Sequence, residues 1–210
     1  MRFLCVSDIH GHADRLRQVL SEARARDFHQ LVVCGDSLFP GPEPLATWKL
    51  LVEHKALCVQ GVSDRALYEV DATKLVGSSD AERARIKRLV AVQQEVGQLI
   101  LARLGKLPTT ARLPLESGQE AMVVHGSPAD PTEPMYGEME EHELQALLGS
   151  EPGDVVVCGA SHVPFQRVVG NVHIISVGSV GESPAEGYAH ATIIDSSEVG
   201  MSVEQFDVSL

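Results

Sequence analysis

Four short apolar runs in this chain each lead into an aspartate or a histidine, and that repeated junction constrains the fold more than any other feature. Arg2–Val6 runs into Ser7-Asp8-Ile9-His10-Gly11-His12, and Leu31–Cys34 into Gly35-Asp36-Ser37. Ala121–Val124 ends on His125-Gly126, and Val155–Cys158 leads to Gly159-Ala160-Ser161-His162. Short runs of Val and Leu bounded by glycine read as buried strands. In open α/β sheets, ligand sites form just beyond strand ends. Carboxylate and neutral imidazole are ligands for divalent metals. Asp8, His10, Asp36, His125 and His162 are therefore the candidate metal ligands. In Asp8-x-His10 the two-residue spacing turns both side chains to one side. Gly35 allows a sharp turn ahead of Asp36, and Gly126 and Gly159 read the same way.

The first half of the chain alternates strand and helix. Arg2–Ser7, Leu31–Cys34 and Ala56–Val59 read as strands. Asp14–Arg26 carries Leu16, Val19, Leu20 and Ala23 at helical spacing. Glu43–His54 is a helix entered through Gly41-Pro42-Glu43-Pro44, with proline near the first turn. A βαβαβ rhythm implies parallel strands with right-handed crossovers. Asp80–Leu104 reads as one long charged helix or a broken pair, with Arg83, Arg85, Lys87 and Arg88 on a solvated face.

After Pro108 strands dominate. Arg112–Leu115 and Glu120–His125 form a hairpin about Ser117-Gly118, and Glu140–Leu148 is a short helix. Asp154–Cys158, Gln166–Val169, Val172–Val177, Ala189–Asp195 and Ser202–Phe206 are strands joined largely by glycine turns. The pattern predicts one α/β domain over residues 1–210, a four-layer αββα sandwich of two mixed sheets flanked by helices.

Composition narrows the partners. Seventeen Lys and Arg against 29 Asp and Glu leave a formal charge of −12. Such a surface argues against duplex nucleic acid, where affinity comes from basic side chains on phosphates. A small phosphorylated substrate held at a metal stays compatible with it, as does a homo-oligomer. No apolar stretch reaches the length of a membrane span, and Met1 opens directly into a strand rather than a signal peptide. Cys5, Cys34, Cys58 and Cys158 form no CxxC pair and read as small buried hydrophobes. Free thiols and no export signal point to the cytoplasm.

The ordered motifs resemble those of the calcineurin-like metallophosphoesterases, in particular their small bacterial and archaeal branch. That branch reads roughly SDIHGN, GDxVGYGPxP, GNHD, VHGSP, GHTH, NPGSVG and a late YAxxD. Here the matching segments are SDIHGH at Ser7–His12, GDSLFPGPEP at Gly35–Pro44 and GVSD at Gly61–Asp64. They continue with VHGSP at Val124–Pro128, GASH at Gly159–His162, SVGSVG at Ser176–Gly181 and YAHATIID at Tyr188–Asp195. The resemblance implies a two-metal phosphoesterase. Positions matching Asp8, His10 and His162 hold one ion, His125 helps to hold the other, and Asp36 bridges them. Ions about 3.5–4 Å apart polarise a phosphoryl group and activate water.

Three family positions are changed. The Asn ligand is Val62, the GNHD histidine is Ser63, and the first GHxH histidine is Ala160. Val and Ala offer no donor atom, and a serine hydroxyl does not titrate near neutral pH. Phe39-Pro40 also replaces Gly-Tyr beside the site. The expectation is one firmly bound divalent transition metal (Mn, Fe or Zn), with a second weak or absent. His12, in place of the family's Asn, and Asp64, which in the family orients the lost histidine, are the candidate catalytic residues. Arg65 either contacts phosphate or pairs with Asp64. The reading is a hydrolase of small phosphate mono- or diesters, such as nucleotides, with reduced or narrowed activity. The competing reading is a ligand sensor or interaction module that keeps only the fold.

Overall fold

The computed structural model describes residues 1–210. The element order is β1 (Arg2–Val6), α1 (Ala13–Ala23), β2 (Gln30–Val33), α2 (Pro44–Glu53), β3 (Leu57–Cys58), α3 (Val62–Glu69) and α4 (Asp80–Leu104). It continues with β4 (Thr110–Pro114), β5 (Glu120–Val124), α5 (Glu141–Leu148), β6 (Val155–Cys158), β7 (Pro164–Val169), β8 (Val172–Val177), β9 (Tyr188–Ser197) and β10 (Gly200–Ser209). One sheet has the order β10-β9-β1-β2-β3 and the other β4-β5-β6-β8-β7. β1, β2 and β3 pair in parallel, as the alternating first half requires, while β9 adds antiparallel to β1.

The sandwich follows from period-two burial on both faces of each sheet. Phe3 and Cys5 of β1 join Val123 of β5, Val155 and Val157 of β6 and Ile175 of β8 between the sheets. The alternate residues Leu4 and Val6 face outward onto Leu16, Val19 and Leu20 of α1. On the other side Val156, Cys158 and Ile174 face Leu144 and Leu148 of α5. Every central strand is thus covered twice, which is why these runs are continuously apolar rather than alternating. Three of the thiols are buried and Cys58 is half-buried. Burial pushes Cys5 and Cys158 up to about 12, so both are neutral packing groups.

One element is absent from the sequence reading, and one of its alternatives is decided. Val62–Glu69, to which the sequence reading assigns no element, is a helix. Of the two forms expected for α4 it takes the broken one, because Gly97 takes φ 75° inside it. A fourth apolar cluster joins Leu38 and Phe39, Leu67 of α3, and Leu89, Val92 and Val96 of α4. The basic run on α4 is not merely solvated. Arg88 donates to the carbonyls of Pro40 and Gly41, and Arg85 lies 5.6 Å from the centre of the Phe39 ring. These two arginines clasp α4 to the loop after β2.

Candidate metal centre

The candidate ligands leave the carboxyl ends of β1, β2, β5 and β6, where the two sheets meet. Asp8, His10, Asp36 and His125 are buried, and His162 is partly so. Four of these five take positive φ: 52° at Asp8, 49° at His10, 53° at Asp36 and 60° at His162. The left-handed region costs a non-glycine residue free energy and is sustained only by the surrounding structure. That support is visible. Asp8 N–H donates to Gly35 C=O, His10 N–H to Asp36 C=O and Gly11 N–H to Ser37 C=O, which stitches the two loops together.

The glycines divide into two kinds. Gly35 sits at φ 92°, as a sharp turn requires. Gly126 and Gly159 do not adopt positive φ, so the turning role expected of them is corrected: they supply room instead. A Cβ on Gly159 would lie 1.9 Å from Ser7 Oγ and 2.8 Å from Asp8 Oδ2.

Two donor groups share the Asp8 carboxylate: Asp8–His10–His162 and Asp8–Asp36–His125. His162 Nε2 is 3.2 Å from Asp8 Oδ1, and His125 Nε2 is 3.6 Å from Asp36 Oδ2. Backbone carbonyls fix the imidazoles. His125 Nδ1 bonds Cys34 C=O at 2.8 Å, and His10 Nδ1 bonds Phe39 C=O. With Nδ1 donating, each ring presents the lone pair of Nε2 inward, as for a ligating histidine. Asp8 Oδ1 and His10 Nε2 are buried without a hydrogen-bond partner. Orphaned buried polar atoms facing one another, all of metal-ligand type, are the fit expected for a cation.

The electrostatics match. Burial works to raise the Asp8 carboxyl, but His10, His162 and His125 outweigh it and hold it well below the usual carboxylate range. Burial likewise opposes the charged form of His10, and Asp8, the Phe39 carbonyl and Asp36 overcome it, pushing it up to about 9. The Asp8 carboxylate raises His162.

One carboxylate escaped the sequence reading. Glu182 Oε2 lies 3.6 Å from His10 Nε2 and 4.0 Å from His162 Nδ1. Its loop is zipped to the end of β1, with Val180 N–H on Ser7 C=O, Gly181 N–H on Asp8 C=O, and Ser179 Oγ donating to Asp8 C=O. Three carboxylates therefore surround His10 Nε2, since Asp8 Oδ1 stands at 3.6 Å and Asp36 Oδ2 at 3.9 Å.

Asp64 is fully buried and accepts from Ser37 N–H at 3.0 Å and Gly61 N–H at 3.1 Å. Burial, and then the charge of Asp36, push it up to about 6. The expected Asp64–Arg65 pair is not formed. Arg65 is exposed and pairs with Glu69, one helical turn on along α3. The first turn of α3 holds Asp36 instead: Ser63 N–H donates to Asp36 Oδ1 at 2.8 Å, an anion at a helix N-terminus. Ala160 contributes its backbone N–H to Asp8 Oδ2, not a ligand. His12 precedes α1 without a side-chain cap and is in neither donor group; burial, and then Arg15, lower it.

Residues 1–198 match the calcineurin-like phosphoesterase superfamily domain. The chain belongs to that superfamily. Calcineurin-like phosphoesterases are metal-dependent hydrolases, and the donor groups here are of the kind such an enzyme needs. No curated protein matches the sequence. Among solved structures, a hypothetical protein from Pyrococcus horikoshii superposes with TM-score 0.83 at 18% identity, covering 99% of this chain and 88% of that one. A metallophosphoesterase from Sphaerobacter thermophilus gives 0.77 at 22%, covering 100% and 88%. A phosphoesterase from E. coli gives 0.55 at 20%, with both chains covered completely. These similarities concern the calcineurin-like fold.

Proposed function

We propose that this protein hydrolyses small phosphate mono- or diesters with one firmly held divalent transition metal (Mn, Fe or Zn). Asp8, His10, Asp36 and His162 would hold it, with Glu182 as a further oxygen donor. The observation that carries this reading is the environment of His10 Nε2: buried, without a hydrogen bond, and faced by three carboxylate oxygens at 3.6–3.9 Å. The second position has Asp36 and His125, with Asp8 shared between the two donor groups, and Val62 and Ala160 add no side-chain donor to it. Two carboxylates already engaged by the first ion and one private histidine are a poor set for a tightly held transition metal. Such an ion, when bound, supplies Lewis-acid polarisation of a phosphoryl oxygen and lowers the pKa of water.

The protein's own contributions are separable. Asp8 and Asp36 bring negative charge to the centre, and the Cys34 and Phe39 carbonyls fix which nitrogen of His125 and His10 faces inward. Asp64 positions the loop that carries Asp36, through Ser37 and Gly61. His12, on the same loop as His10, is the candidate proton donor to the leaving oxygen, a role an imidazole can fill. Arg65, exposed on α3, is the candidate outer contact for phosphate.

The test is turnover of p-nitrophenyl phosphate and its bis-ester by protein loaded with Mn, Fe or Zn in turn. Metal-dependent hydrolysis that Asp8→Asn abolishes is expected. No turnover with any of the three ions refutes the reading. It would leave the sensor alternative, which the joint presence of Val62, Ser63 and Ala160 favours.

A further inference from the structure

The donor cluster opens at one end onto a cleft of about 440 Å³. That volume falls in the range of small-molecule sites. His10, Asp36 and Glu182 form its inner end, and almost everything beyond them is apolar. Val62, Ala66 and Val70 line one wall. Their four-residue spacing puts all three on a single face of α3 and its C-terminal residue. Ile86 and Leu89 of α4 and Phe39 and Pro40 of the loop after β2 line it as well. Leu75 and Val76 stand at the mouth, on the segment joining the two helices.

Exposed large aliphatic residues gather here: Val62 is 46% exposed, Leu75 44% and Val76 93%. Scattered singly they would need no explanation, but around a concave site beside a reactive centre they mark a ligand surface. The charged groups in the outer cleft, Glu82 and Arg85, are of opposite sign and favour neither a polyanionic nor a cationic tail. Arg85 is also engaged over the Phe39 ring, and Glu82 accepts from the backbone and hydroxyl of Ser78.

Val62 and Ser63 thus acquire a second meaning. They stand where the superfamily motif carries a ligand and an acid, and both line the cleft. Val62 makes the apolar wall continuous from Asp36 outward to Val70. An asparagine there would set an amide in that wall, and unpaired polar groups are costly on apolar surfaces.

We infer that this cleft binds the alcohol portion of the substrate, and that this portion is aromatic or aliphatic rather than a sugar or polyol. The phosphoryl group lies at the donor cluster and the apolar group between α3 and α4. Hydroxyls of a polyol would meet Val62, Ala66, Val70 and Ile86 without partners, whereas an apolar group meets side chains of its own kind. The inference rests on the phosphoesterase reading for the position of the phosphoryl group, but the cleft is testable apart from catalysis.

Each buried methylene-sized group is worth about fourfold in affinity. An aryl group that seats even two carbons' worth of surface therefore gains about fifteenfold. The experiment compares binding of naphthylmethylphosphonate and methylphosphonate, neither of them hydrolysable, to the full-length Mn-loaded protein by calorimetry. Naphthyl phosphate and glycerol phosphate are assayed in parallel for turnover. The naphthyl phosphonate is expected to bind at least tenfold more tightly. Ala66→Phe, which fills the cleft, should reduce that ratio at least threefold. Val76→Asp, at a position too exposed to affect folding, should do so as well.

Equal affinity for the two phosphonates overturns the inference, as does a ratio unchanged in both variants. A naphthyl preference in binding with no turnover of either ester upholds the cleft and refutes the phosphoesterase reading. Turnover with equal affinities does the reverse.

Discussion

Asp64 offers the sharpest test of how this site is held together. Its carboxylate is fully buried and accepts the N–H of Ser37, next to Asp36, and that of Gly61, at the start of α3. Asp64→Ala leaves both donors buried and unpaired. Hydrogen bonds to a charged acceptor are worth about 1.5–3 kcal/mol each, so the gross loss is about 3–6 kcal/mol. Desolvation and the charge of Asp36 already strain the native carboxylate, which is why it is pushed up to about 6. That relief offsets part of the loss and leaves a net of about 2–4 kcal/mol. Asp64→Asn keeps one acceptor oxygen but turns an amide toward the second N–H, so about half of that is expected. In a chain of this size the Ala variant should melt on the order of 10 °C lower. Urea denaturation of the metal-free protein followed by circular dichroism measures the difference directly. A loss below about 1 kcal/mol for Asp64→Ala would refute the reasoning, because two orphaned buried donors cost more than that. So would an Asn variant less stable than the Ala variant.

Other consequences are independent of this one. Glu182→Gln should weaken retention of the first ion by about ten- to a hundredfold, read by competition with a chelating dye; an unchanged affinity removes Glu182 from the ligand shell. The metal-free protein should lose stability as pH rises from about 6.5 to 9. His10 is raised above its unfolded value of 6.5 to about 9, so its contribution is complete below 6.5 and gone above 9. Thermal melts at pH 6.5, 8 and 9.5 check the sign, and a rise in stability across that window contradicts it. Gly159→Ala should be severely destabilising, since the new Cβ would lie 1.9 Å from buried Ser7 Oγ; normal soluble yield and an unshifted melt would show that β6 can move aside.

Much of this was legible in the sequence, for a physical reason. Asp8, His10, Asp36, His125 and His162 sit where strands stop, and a strand end is defined locally by an apolar run and a turn. The sandwich was legible too, because Phe3–Val6, Ala121–Val124 and Val155–Cys158 are apolar at every position, as double-sided burial requires. The features missed depend on long-range partners. α3 has eight residues, and its first turn is held by Asp36, 27 residues upstream of Ser63. Arg65 looked like a partner for its neighbour Asp64, but successive helical residues do not face one another and Glu69 lies one turn away. Glu182 reaches the centre only because its loop is bonded to Ser7 and Asp8 across the sheet. The Arg83–Arg88 run read as a solvated face because nothing in α4 itself announces the carbonyls of Pro40 and Gly41.

The central claim is one good metal position and one dismantled one. Counting ions per chain by elemental analysis, after saturation with Mn, Fe or Zn and gel filtration, tests it most directly. One retained ion per chain is predicted, falling to none in Asp8→Asn and rising to two when Val62→Asn, Ser63→His and Ala160→His are combined. Two ions retained by the parent protein, or none, would contradict the account.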